Sequence, residues 1–251
     1  MITSLDNKKV KEWTKLHNKK YRNDNYLLFD EKQIKEAKKK NKLQTLIYYN
    51  KCPFEFNDSY EVSKEVFNKI SKGITCNYIG IGKTIDEKRN YKNRVLLLED
   101  LQDPLNVGRI INNAYMFNFD SIILSNNTSD LYNPKCLKEA GEALYKVNII
   151  RSDIKEEIKI LKEKGFKIFS TGLKDYSLEM YDVKHEDKMA FVLGNEGSGV
   201  KEETMNLSDE IIKIDMHNID SLNVAMAGAI LMYRFKIWLQ SFFHLLLYLF
   251  L

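Results

Sequence analysis

The chain is 251 residues long, 44% apolar and 29% charged, which excludes wholesale disorder and leaves room for two domains of ordinary size. Its net charge of +4 hides an imbalance: residues 1–95 carry 22 Lys/Arg against 12 Asp/Glu, and the remainder 17 against 23. A basic first part suits a polyanionic partner, although a well-solvated Lys-rich surface gives the same count.

The opening MITSLDNKKVKEW is polar and is not a signal peptide. Helices are expected at 10–20 and 31–40, both rich in basic residues, and at 62–72, where apolar residues recur at helical spacing, with strands at 26–29 and 45–49. Residues 83–94, KTIDEKRNYKNR, have no apolar period and mark a boundary, giving domains at 1–90 and 95–251. From Val95 strands and helices alternate. Strands are expected at 95–100, 121–125, 147–152, 167–171, 190–194 and 210–215, and helices at 107–117, 138–144, 154–164, 200–206 and onward from Ser221. Such alternation predicts an α/β domain with a mostly parallel sheet, whose ligand lies beyond the carboxyl ends of the strands. The last residues, 237–251, are almost wholly apolar but shorter than the ~20 needed to span a bilayer. They predict a helix buried against the domain or a partner, with membrane contact left open.

Cys52, Cys76 and Cys136 show no CxxC spacing, and His17, His185, His217 and His244 are scattered. This pattern implies neither a disulfide framework nor a metal site, and it fits a reducing cytoplasm. Chemistry is concentrated in three loops. In 98–114, LEDLQDPLNVGRIINNA, Asp103-Pro104 opens a helix and Asn106 offers both donors and an acceptor; as a bare pattern this is also simply a good capped turn. In 191–200, FVLGNEGSGV, three glycines after an apolar strand allow close backbone approach to a nucleoside. The spacing is not GxGxxG and no P-loop lysine follows, which leaves a doubly wound dinucleotide enzyme as a remote rival. Glu196 would repel phosphates and suits a sulfonium cofactor or a basic side chain. In 214–233, Ser221 is placed to cap a helix with Asn223 in its first turn, and Ala225, Ala227, Gly228 and Ala229 give that helix a close-packing face.

Together Asp103–Gly108, Gly194–Gly199 and Ser221–Val224 resemble, in order and spacing, the DPxNxG, GNEGxG and SLNV motifs of the SpoU (TrmH-like) family of SPOUT RNA methyltransferases. The start of the chain is similar to the family's ribosomal-protein-like α/β substrate-binding domain. The resemblance implies a trefoil-knotted methyltransferase domain, a homodimer, and transfer of a methyl group from S-adenosylmethionine to an RNA ribose 2′-hydroxyl, in rRNA by preference and tRNA as a possibility. It places Thr171, Gly172, Gly194, Ile214 and Leu222 around the cofactor, and Asn106, Glu196, Ser221 and Asn223 in the catalytic site. The arginine of the first motif is replaced by Asn112, which can neither serve as a base nor supply charge. Arg109, one turn earlier, is the candidate to take part of that role. The rival is an RNA-binding homologue impaired in transfer. Asp215 stands in place of the family's proline, the 214–221 loop is about one residue short, and Asp30-Glu31 stands in place of a Glu-Gly pair.

Overall fold

The computed structural model describes residues 1–216 and 222–237; Ser221, His217, His244 and the apolar stretch beyond Ile237 lie outside them. Two sheets organise the chain. The first has the order β1-β4-β2-β3, from β1 (Asn25–Leu28), β2 (Leu43–Tyr48), β3 (Ser59–Glu61) and β4 (Tyr78–Lys83). Strand β4 pairs antiparallel with both β1 and β2, and β3 runs parallel to β2. Helices α1 (Lys8–Lys15) and α3 (Lys64–Ser71) cover one face of this sheet, closing a core that includes Val10, Trp13, Ile47, Phe67 and Ile79. Each helix begins at a capping side chain: Asn7 for α1, Ser63 for α3 and Asp30 for α2 (Glu31–Lys39).

The second sheet has seven strands in the order β7-β6-β5-β10-β8-β11-β9, and all of its pairs are parallel. They are β5 (Arg94–Leu98), β6 (Ser121–Leu124), β7 (Asn148–Arg151), β8 (Lys167–Thr171), β9 (Leu178–Glu179), β10 (Met189–Leu193) and β11 (Glu210–Lys213). Strands β5, β6 and β10 are buried along their whole length, as parallel strands covered on both faces require. Helices α4 (Pro104–Met116), α5 (Pro134–Ala140) and α8 (Val224–Phe235) lie over one face; α6 (Ile154–Glu163) and the short α7 (Glu202–Met205) flank the other.

Helix α4 lies close against α5 because residue 108 is glycine. A Cβ there would stand 2.4 Å from the Cys136 carbonyl oxygen and 2.7 Å from Glu139 Cβ, distances no real packing tolerates. The two sheets are joined by directional polar contacts. Arg22 pairs with Asp130, Gln33 donates to the carbonyls of Leu137 and Gly141, and the Tyr26 and Tyr145 hydroxyls meet at 2.6 Å. The polar stretch before β5 is strapped down: Arg89 and Tyr91 both donate to the fully buried Glu157 carboxylate of α6, at 2.7 and 2.6 Å.

Several expectations are corrected. The first helix ends at Lys15, and residues 19–21 form a separate 3-10 turn capped by Asn18. Strand β4, central to its sheet, was unforeseen because Gly80 and Gly82 weaken its strand signature; their lack of side chains makes room for Ile34, Leu43, Leu28 and Tyr26. The helix expected at 138–144 is α5, which starts at Pro134 behind the Asn133 cap and stops at Gly141, with a 3-10 turn following. Asn223 is not inside the first turn of α8 but is its cap, accepting from Ala225 and Met226 N–H at 3.0 and 3.3 Å. Among the described residues no helix is long and apolar enough to cross a membrane.

The Gly108 contact is testable. Gly108→Ala is expected to lower the free energy of unfolding by ~1–3 kcal/mol through overpacking of α4 on α5. Urea denaturation should show a shifted midpoint with little change in slope.

Candidate active site

Because every strand of the large sheet runs the same way, the loops after β5, β8, β10 and β11 gather at one edge. The loop after β10 folds back on itself. Asn195 and Gly199 exchange backbone hydrogen bonds at 3.1 and 2.9 Å, and Asn195 Oδ1 accepts from the N–H groups of Gly197 and Ser198. Gly194 is the tightest point: a Cβ would stand 2.1 Å from backbone atoms of Gly199 and Val200. Asn195 Nδ2 also donates to the Asp100 carbonyl at 2.8 Å, where Asp100 holds the left-handed conformation at φ +57°.

One hydrogen-bonded chain crosses three loops. Glu196 accepts from the N–H groups of Gln102 and Asp103 at 3.1 and 3.2 Å, and from Asn106 Nδ2 at 3.1 Å. The buried Asn106 then accepts at Oδ1 from Asn223 Nδ2 at 3.0 Å. Burial pushes the Glu196 carboxyl up, but the hydrogen bonds from Gln102, Asn106 and Asp103 outweigh it and hold the group below its ordinary range. It is therefore ionised at neutral pH, and among the described residues it orients no basic side chain. Its partners are two backbone amides and an asparagine.

A buried carboxylate that the sequence reading did not single out supports the same loop. Glu99, at the end of β5, accepts from the Thr204 hydroxyl at 2.6 Å and from Lys201 N–H at 2.9 Å. The only signal was an acid directly after a wholly apolar strand. Lys201 closes the arrangement by pairing with Asp100 at 2.7 Å.

Beside this chain lies a cavity of about 600 Å³. Thr171, Gly172, Gly194, Ile214 and Leu222 all line it, so the five residues assigned to the cofactor are brought together. Glu196 is on its wall. Its apolar surface comes from residues such as Leu193, Met205, Ile212 and Leu231, and Lys174 pairs with Glu202 among the lining residues. Asn106 and Asn223 stand next to the cavity through Glu196.

The remaining assignments fare differently. Ser221 lies outside the described residues. Arg109 is exposed and pairs with Glu139 of α5 at 3.2 Å; it neither bonds to Asn106, Glu196 or Asn223 nor lines the cavity. Asn112 is exposed on α4. Among the described residues no group of His, Cys, Asp or Glu is placed to hold a metal ion.

The bond chain makes a prediction with a definite sign. In the parent, Glu196 has a depressed folded pKa, so its contribution is present above the unfolded value of ~4.3 and is lost as pH falls through the folded value. Asn106→Asp places a second carboxylate against Glu196 and raises the pair's titration instead. The variant should therefore lose stability as pH rises above the unfolded carboxylate value of ~4.3, the opposite slope to the parent, in thermal denaturation between pH 4 and 8.

Comparison with known proteins follows the same outline. Residues 93–233 match the model of the SpoU rRNA Methylase family. The 23S rRNA (guanosine(2553)-2′-O)-methyltransferase RlmP of Bacillus subtilis is 29% identical over 245 residues, covering 94% of this chain and 98% of the relative. An uncharacterised tRNA/rRNA methyltransferase of Borreliella burgdorferi is 32% identical over 67% of this chain and 74% of its own. Among solved structures, an AdoMet-bound rRNA methyltransferase from Sinorhizobium meliloti superposes with a TM-score of 0.84 at 22% identity, covering 93% of this chain and 95% of that one.

Proposed function

Since the chain belongs to the SpoU rRNA methylase family, we propose that it is an S-adenosylmethionine-dependent RNA methyltransferase acting on a ribose 2′-hydroxyl, with ribosomal RNA as its substrate. The observation that carries the reading is the cavity formed where the loops after β8, β10 and β11 converge, with the ionised Glu196 on its wall. The lysines of the lining are each paired with a carboxylate, Lys174 with Glu202, Lys201 with Asp100 and Lys213 with Glu179, so an apolar wall, glycine backbone and the ionised Glu196 are left to suit a nucleoside that carries a positive charge. Thr171, Gly172, Gly194, Ile214 and Leu222 would hold this cofactor. S-adenosylmethionine supplies a methyl group already activated on a sulfonium sulfur.

The chain's own residues then have a positioning task. Asn106 and Asn223 present amide groups beside Glu196, able to orient a ribose hydroxyl once an RNA displaces part of their mutual bonding. Glu196, with three donors upon it, is a weak base and serves to fix those amides. Ser221 completes the third motif. The trefoil knot belongs to this reading; Leu222 and Val224 line the same cavity as the glycine loop of β10, which supports a C-terminal segment passing close to that loop. Residues 1–90, with their excess of basic side chains, form the RNA-binding domain, and residues 95–251 the methyltransferase domain.

Homodimerisation is also part of the proposal. Met226, Ile230 and Tyr233 of α8 are exposed at i, i+4 and i+7, and the Tyr233 ring stands 6.0 Å from that of Phe117 at the end of α4. That stripe suits a second copy of the chain in the cytoplasm, where three free thiols are at home. Sedimentation velocity should give a dimer for the parent and a monomer for Met226→Glu/Ile230→Glu.

A second reading, a homologue impaired in transfer, is favoured by one observation. With Asn112 neutral and Arg109 held by Glu139, no cation reaches the Asn106–Glu196–Asn223 chain among the described residues. The same experiment separates the two. Titration calorimetry should detect S-adenosylmethionine binding that is lost in Ala227→Phe, which fills the cavity from α8. Transfer of labelled methyl to large-subunit rRNA should create a 2′-O-methylated, alkali-resistant linkage. Binding without transfer, with transfer restored by Asn112→Arg, would establish the impaired reading; absence of binding by the folded parent would overturn the methyltransferase reading and leave the RNA-binding homologue in its place.

A further inference from the structure

The C-terminal ends of α1 and α3 meet on the outside of the small sheet, and between them lies a second cavity of about 440 Å³. Lys11, Lys15, Lys69 and Lys72 line it together with His17 and Tyr21. Cations near a helix C-terminus offset the helix dipole, which accounts for Lys15 and Lys69 in the last turns. It does not account for Lys11 in mid-helix, for Lys72 presented from a left-handed residue at φ +49°, or for their convergence on one concavity.

The acids nearby are too few to neutralise the group. Asp6, itself exposed, pairs with Lys11 at 2.9 Å, and Lys69 donates to the Leu5 carbonyl. Lys15 and Lys72 have no carboxylate partner among the described residues. His17 adds no charge at neutral pH. Its burial, with Lys72 and Arg22 close by, keeps its pKa below the ordinary imidazole value despite the Ile70 carbonyl at 2.7 Å.

Tyr21 gives the cavity a second kind of surface. The residue is 47% exposed, and the ammonium groups of Lys15 and Lys20 lie 5.6 and 5.8 Å from its ring centre. A half-exposed aromatic face ringed by lysines is the combination that accepts an unstacked base together with its flanking phosphates. The surface continues inward. His17 stacks on Phe29 with centroids 6.0 Å apart, and Phe29 opens onto a cleft of about 500 Å³ shared with Lys135 and Lys138 of α5. Helix α5 in turn carries Glu139, the partner of Arg109.

We propose that the α1–α3 cavity is an anchoring subsite for single-stranded or looped RNA, in which Tyr21 stacks one base and Lys11, Lys15, Lys69 and Lys72 take the adjoining phosphates. It rests on the RNA methyltransferase reading above and names the part of the first domain that grips the substrate away from the reacting ribose.

The test uses full-length protein and transcribed large-subunit rRNA. Filter binding is measured across 50–300 mM salt for the parent, Lys15→Glu/Lys72→Glu and Tyr21→Ala, with thermal denaturation and S-adenosylmethionine calorimetry confirming that each variant is folded. The double variant should weaken RNA binding at least tenfold and flatten the log–log salt slope by about 1–2, as expected when two phosphate contacts are removed. Tyr21→Ala should weaken binding about 5- to 100-fold, with the salt slope kept. In methyl transfer the loss should fall on KM for RNA. Parent-like RNA affinity and salt slope in folded variants overturn the subsite, even where the parent methylates RNA. RNA binding lost in the variants from a parent that transfers no methyl group supports the subsite and counts against the catalytic reading.

Discussion

The side-chain amide of Asn106 is the interaction on which the site depends. An amide carries a donor and an acceptor on one rigid plane, so it can bond a carboxylate with one end and a second amide with the other. Here the carboxylate is Glu196 from the loop after β10, and the second amide is Asn223 from the loop after β11. Neither a carboxylate nor an ammonium at 106 could do both. Asn223 uses its own oxygen to cap α8, so the start of that helix is tied through Asn106 to the start of α4. Because Asn106 is buried, losing either bond would leave a polar atom without water to replace its partner.

The position of this relay follows from the sheet. Parallel strands carry all their carboxyl ends to one edge, so segments far apart in sequence arrive as neighbours there. Close approach is then a matter of which side chains are missing. Gly108 lets α4 lie on α5, Gly194 lets the loop after β10 close on Gly199, and Gly228 brings α8 against Leu193. A methyl group at the first two would collide with backbone rather than with a side chain able to turn aside. Below them Glu99 accepts from Thr204 and Lys201 in a nearly dry setting, which ties the segment leaving the glycine loop to the end of β5.

Much of this was legible from the residues. Unbroken apolar runs such as 95–98 and 189–193 gave the parallel strands, and three motifs with distinct chemistry landed at one sheet edge. What escaped was set by partners remote in sequence. The strand Tyr78–Lys83 was hidden because glycines at 80 and 82 suppress a strand pattern yet are needed for Ile34 and Tyr26 to pack. Glu196 suited a sulfonium cofactor or a basic side chain, and its bonds to the backbone amides of Gln102 and Asp103, beside that to Asn106, are contacts no side-chain pattern announces. Arg109 was in register to replace the missing arginine, but periodicity cannot reveal that Glu139 on the next helix claims it. The Ser221 assignment and the apolar stretch after Ile237 lie outside the described residues.

The way the two sheets are joined bears on how a substrate would be measured out between anchor and reacting site. A purely apolar joint tolerates sliding, because dispersion contacts have little directional preference. This joint instead holds Arg22 against Asp130, Lys146 against Glu36, and the Gln33 amide between two carbonyls, each with a narrow range of acceptable geometry. The Tyr26–Tyr145 hydroxyl pair adds a further directional bond within the shared core. A joint of this kind keeps the basic cavity at α1–α3 at a set distance from the cofactor cavity. On the proposed function and anchoring subsite, selection of one ribose in a long RNA would become a matter of span: an RNA fold would place its 2′-hydroxyl beside Asn106 and Glu196 only if its anchored base lay the right distance away. Specificity of that origin would need no base-reading side chain at the reacting site.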